Sequence, residues 1–128
     1  MTLKIDSVTI IFNVADIERT RAFYGQHLGI QFEHHSEEDD STYLSTKISK
    51  EVDLMVFPGT PKPGNTPNIV FGLSEGGIDT LIEQLAADNI EIVTPVSEAP
   101  GGWFADFRDP DGQTISLYQS GNMPRTQA

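Results

Sequence analysis

Side chains able to do chemistry are few in this chain, and poorly spaced for it. There are three histidines and no cysteine. A metal centre would therefore have to be built from imidazole and carboxylate, and thiolate nucleophiles, Fe–S clusters and disulfides are ruled out together. His34 and His35 are adjacent; on a strand such neighbours point to opposite faces and do not chelate one ion. His27, beside Leu28 in a helical pattern, reads as a partly exposed surface residue. The acidic run Glu37-Glu38-Asp39-Asp40 lacks the spaced oxygen ligands and glycine of a calcium loop, and reads as a solvated hairpin tip. No serine sits in a G-x-S-x-G elbow, and Gly76-Gly77 lacks the lysine of a phosphate loop. The residues by themselves define no catalytic set and imply no cofactor.

The frame that must position whatever chemistry there is can be read from the whole chain. Its 128 residues, 38% hydrophobic and 21% charged, suit one folded domain with a core of its own. Nineteen acidic against eight basic residues give a net charge of −11. A field of that sign repels phosphate backbones and anionic lipid, so neither nucleic acid nor a membrane is expected as a partner. The amino terminus shows no secretory pattern and no apolar run approaches the ~20 residues that span a bilayer, so a cytoplasmic protein is expected.

Along the chain, Ser7–Val14 alternates as a strand, and Asp16 then stands as an N-cap before Ile17, Thr20, Phe23, Tyr24 and Leu28 at helical spacing. Gly29 ends that helix. A strand through Ile30, Phe32 and His34 follows, then strands over Tyr43–Ile48 and Val52–Phe57. Four prolines between Pro58 and Pro67 make a connector. The order then repeats: a strand Asn68–Leu73, a helix bearing Ile78, Leu81, Ile82 and Leu85 and capped by Asn89, and strands from Ile90, over Trp103–Arg108 and over Gln113–Gln119. Asp109-Pro110-Asp111-Gly112 is a tight turn, and residues 120–128 read as a loose tail. The expected class is α+β, with two βαβββ modules at about 7–57 and 68–119 joined by the hinge 58–67. Two curved sheets paired edge to edge would form a cupped surface fit for a ligand.

Two stretches make the sequence similar to the vicinal-oxygen-chelate superfamily, which includes glyoxalase I, extradiol dioxygenases and bleomycin-resistance proteins. One is Val14-Ala15-Asp16-Ile17-Glu18-Arg19 with Ala22-Phe23-Tyr24 and Leu28-Gly29-Ile30; the other runs from Gly101 through the Asp109–Gly112 turn. The resemblance covers roughly Val8–Gln119. It implies one divalent metal held by His and Glu from the first and last strands of each half. Carried over by register, those positions fall on Thr9, Asn68 and Ser116, and on Met55 or, with a slip of two, Asp53. Threonine, asparagine and serine are weak neutral ligands for a transition metal, so the metal site is expected to be lost.

The ligand face is expected to comprise Thr9, Ile11, Asn13, Met55, Phe57, Asn68, Val70, Trp103, Phe104, Asp106, Ser116 and Tyr118. For Trp103 the strand alternation also allows the helix side. This mixture of ring, aliphatic, hydroxyl and amide groups suits a small organic molecule, such as an antibiotic or an aromatic metabolite, bound or sequestered without metal. The alternatives are a metal-dependent lyase, isomerase or dioxygenase whose ligands lie elsewhere, a metal-free enzyme using Asp53, Asp106 or a tyrosine, and a non-enzymatic interaction module. A homodimer is what the resemblance implies.

Overall fold

The computed structural model describes residues 3–37, 41–64 and 66–127. Among them are β1 (Ile5–Val14), α1 (Ile17–Leu28), β2 (Glu33–Ser36), β3 (Thr42–Ser49), β4 (Val52–Pro58), β5 (Asn68–Leu73), α2 (Ile78–Ala87), β6 (Ile92–Ala99), β7 (Gly102–Arg108) and β8 (Thr114–Ser120). The class is α+β, and the element order is the doubled βαβββ expected. The contacts separate into two compact units: Thr9–Pro67 is the first, and the residues up to Val8 together with those from Asn68 onward form the second.

In the first unit the strands lie in the order β2-β3-β4-β1, with β2/β3 and β3/β4 antiparallel. Its core is Phe32, Leu44, Leu54 and Val56, joined by half-buried Ile10, Phe12, Val14, Ile17, Tyr24 and Ile30. Asp16 caps α1 as expected, its carboxylate accepting the Arg19 backbone N–H at 3.0 Å. Gly29 closes the helix at a φ of 69°, a left-handed conformation that side chains disfavour.

The apolar stripe of α1 does not pack as a stripe. No residue of the helix is buried, and Phe23 and Leu28 are 54% and 58% exposed. At 3.6 residues per turn Phe23 lies about 100° round from Tyr24, off the face that Ile17 and Tyr24 turn to the core. Leu28 is in line with them but is the last helical residue. The second strand starts later than its alternation suggests, at Glu33; Ile30 and Phe32 still pack into the core from the preceding segment. The acidic tip is closed by Glu37 N–H donating to Ser41 O at 2.8 Å, and its residues 38–40 lie outside the described residues.

In the second unit the start of β1 is followed by β5, β8, β7 and β6, with β5/β8 parallel and β8/β7 and β7/β6 antiparallel. Its α2 buries Ile78, Leu81 and Ile82 against Leu73, Ala105 and Leu117. Gly102 has no room for a side chain, since a Cβ there would come within 1.9 Å of the Gln119 carbonyl oxygen on β8. The β7–β8 turn is built as its residues suggest: one Asp109 carboxylate oxygen accepts from Asp111 N–H and Gln113 N–H, both at 2.9 Å.

Residues 121–127 are not a loose tail. Pro124 and Arg125 carbonyls accept the Gly77 and Asp79 N–H groups at 2.8 Å, and Gln127 N–H donates to Thr80 Oγ1 at 2.9 Å. They thereby satisfy the first turn of α2, whose N-cap Gly77 has no side chain to do so. The Arg125 guanidinium bonds Asp79 and lies 4.0 Å over the Trp103 ring. No helix among the described residues is long and apolar enough to cross a membrane.

Candidate ligand-binding faces

Strand alternation divides each sheet into a side that carries the helix and core and a side turned away from them. In the first unit Ile10, Phe12, Val14, Leu44, Leu54 and Val56 take the core side. Thr9, Ile11, Asn13, Met55 and Phe57 therefore share the other, with Asp53, Ser45 and Tyr43 beside them on the paired strands. In the second unit Phe71, Leu73, Trp103, Ala105, Phe107 and Leu117 belong to the core side. Asn68, Val70, Phe104, Asp106, Ser116 and Tyr118 alternate onto the other. Trp103 is the one expected lining residue on the helix side, stacked beneath Arg125.

Across the second unit's open face runs a chain of three polar side chains. Asn68 Nδ2 donates to Ser116 Oγ at 3.1 Å, and the Ser116 hydroxyl donates to Asp106 Oδ1 in a short hydrogen bond. Ser116 is 3% exposed, and Asp106 and Asn68 are half-buried. The register brings them together: Ser116 is paired with Asp106 on one side and with Val70 on the other. A carboxylate so bonded keeps its second oxygen as an acceptor. Close by, the Tyr118 hydroxyl donates to Pro100 O at 2.9 Å.

On the first unit's open face three rings form a ladder across β2, β3 and β4. His35 stacks on Tyr43 with centroids 4.6 Å apart and planes 14° off parallel, and Tyr43 on Phe57 at 5.1 Å and 17°. His35 Nε2 and Ser45 Oγ share a hydrogen bond of 2.7 Å. Phe57 was expected on this face and His35, Tyr43 and Ser45 were not, although Tyr43 two residues before Ser45 in an alternating strand was the available signal. His34, on the opposite face, lies 3.8 Å from Glu18 of α1. Asp53 is engaged by Lys47 Nζ at 3.0 Å.

These donors do not fit a transition-metal ion. At Asn68 and Ser116, where the family resemblance implies ligands in the second unit, stand an amide and a hydroxyl bonded to each other, with the Asp106 carboxylate beside them. Among the described residues no three His, Asp or Glu side chains come together as a metal site. Cavities among the described residues include, along α1, one of about 340 Å³ lined by Phe12, Val14, Arg19, Thr20, Phe23 and Tyr24 and another lined by Glu18, Arg21, Ala22, Gly25, Gln26 and Gln31. Neither is lined by an expected ligand contact.

The α+β order of elements, the capped first helix and the Asp109–Gly112 turn before the last strand together define a doubled βαβββ protein. The chain belongs to the glyoxalase/bleomycin resistance protein/dioxygenase superfamily, whose family model matches residues 4–117. Methylmalonyl-CoA epimerase from Mycobacterium tuberculosis is a structural neighbour with a TM-score of 0.67 and 15% identity, over 94% of this chain and 91% of that one. A superfamily member from Vibrio splendidus 12B01 has a TM-score of 0.60 and 22% identity, over 93% of this chain and 100% of that one. At such identities the likeness shows the fold. No curated protein matches the chain.

Proposed function

We propose that this superfamily member works without a metal, as a binding protein for a small organic molecule. The observation that supports the reading is the Asn68–Ser116–Asp106 chain, in which a neutral amide and a neutral hydroxyl, bonded to each other and to the Asp106 carboxylate, stand at two of the positions where the family resemblance puts metal ligands. In the first unit the resemblance puts ligands at Thr9 and at Met55 or Asp53, a hydroxyl with a thioether or with a carboxylate that Lys47 already engages. What this arrangement does well is orient a ligand. The free oxygen of Asp106 accepts an N–H or O–H, Phe104 and Tyr118 flank it with ring surface, and the net charge of −11 favours a cationic group. The ring ladder of the first unit adds flat apolar surface of the kind that planar molecules stack on. Neither nucleic acid nor a membrane is a partner in this reading, and the assembly is a homodimer in the cytoplasm.

Native mass spectrometry and elemental analysis of protein purified without chelators test the proposal. The expected result is substoichiometric metal, a retained organic adduct that Asp106→Ala loses, and a dimer mass. Stoichiometric nickel, zinc, manganese or iron that survives dialysis and disappears in Asp106→Ala would overturn it.

A further inference from the structure

The cavity of about 340 Å³ in the first unit belongs to neither open face, and its lining specifies an occupant. Phe12 and Val14 come from the core side of β1, Phe23 and Tyr24 from α1, so it is a gap between the helix and the sheet that the helix covers. Its existence agrees with the packing of α1, which has no buried residue and leaves Phe23 more than half exposed. An apolar guest there would complete the contact that the helix makes only in part, and the volume lies at the small end of the range for ligand sites.

The polar groups at this gap set the chemistry. The Arg19 guanidinium makes no ion pair among the described residues, in a chain where acids outnumber bases more than two to one. The two acids nearest to it in sequence make their contacts without the guanidinium. Asp16 accepts the backbone N–H of Arg19 as the helix cap, and Glu18 lies 3.6 Å from Arg21 and 3.8 Å from His34. Thr20 directs its hydroxyl hydrogen to Asp16 O at 3.1 Å, which leaves its oxygen as an acceptor. A guanidinium that has no ion-pair partner among the described residues and lines a ring-walled gap suits an anion carrying an apolar body.

We propose that the gap between α1 and β1 is a second binding site, for a small amphipathic carboxylate of about ten non-hydrogen atoms. The apolar body contacts Phe12, Val14, Phe23 and Tyr24, and the carboxylate bonds the Arg19 guanidinium. This site is independent of the metal-free binding proposed for the open faces, and each stands if the other fails.

The test is a titration of the full chain with 3-phenylpropionate and, separately, with 3-phenylpropan-1-ol, followed by backbone amide shifts in NMR. The carboxylate is expected to bind roughly tenfold tighter than the alcohol, with shifts centred on Phe12, Val14 and Arg19–Tyr24. Arg19→Gln removes that preference, and Phe23→Ala weakens both. Equal binding of the two probes, shifts centred on another part of the chain, or an Arg19→Gln variant as selective as the wild type would overturn the proposal. So would a Phe23→Ala variant that changes the oligomeric state, because a second copy would then be what covers the gap.

Discussion

The side-chain oxygen of Gln119 accepts the backbone N–H of Ile78 at 2.9 Å, so a residue of the last strand caps a helix that begins 41 residues before it. Its amide nitrogen meanwhile donates to Met123 O at 3.0 Å, and the whole side chain is buried. Gln119→Ala would leave a buried N–H and a carbonyl without partners and a void beside them, and is expected to cost about 2–4 kcal/mol. The shift in urea midpoint checks this. Gln119→Glu keeps an acceptor for Ile78 N–H but turns the donor to Met123 O into a second, charged acceptor, so at neutral pH it should destabilise as well.

Arg125 joins the chain's end to the same helix, bonding Asp79 at 3.0 Å and covering the face of Trp103. Trp103 is the only tryptophan, so the protein's tryptophan emission reports on the surroundings of this one ring. Arg125→Ala is expected to shift that emission to longer wavelength and to lower stability by about 1 kcal/mol. Unchanged emission would mean that the guanidinium does not shield the ring.

The ring ladder predicts an order of losses. Tyr43 stacks on two rings and His35 on one. With each ring pair contributing about 1 kcal/mol, Tyr43→Ala should destabilise at least twice as much as His35→Ala in denaturant titrations. Equal losses would show that burial alone, and not stacking, holds the ladder.

The donor set can be tested by restoring what it lacks. Asn68→His combined with Ser116→Glu would put an imidazole and a carboxylate beside Asp106 on adjacent strands. Calorimetric titration with zinc is expected to show about one equivalent bound by the double variant and none by the wild type. Zinc bound by the wild type as well would count against a metal-free role.

Much of this architecture was legible because it is locally encoded. Asp16, Gly29 and Asp109–Gly112 act on backbone groups within a few residues of themselves, so residue type alone located them. The alternation that separated Thr9, Ile11 and Asn13 from the core residues of β1 is equally local. Contacts across strands are of another kind. That Asn68, Ser116 and Asp106 meet depends on the register of β5, β8 and β7, and the stacking of His35 on Tyr43 depends on the register of β2 and β3. Trp103 had two allowed faces until its register was fixed, and it took the helix side. Residues 121–127 are polar and rich in turn formers, which favours a loose tail in isolation. They are ordered by N–H groups that α2 leaves unmet far back in the chain.

The two helices are secured in different ways, and that difference bears on how the chain tolerates change. α2 has its first turn tied by Gln119 and by Pro124 and Arg125, and it buries three side chains. α1 rests on its own N-cap and on half-buried Ile17 and Tyr24. Lifting α1 away uncovers apolar core around Phe32, Leu44 and Val56, whereas lifting α2 also strips hydrogen bonds from the last strand and from the segment that follows it. The outward side chains of the first helix are thus the part of this protein that descent with modification can rewrite most cheaply, and new specificities have their easiest foothold there.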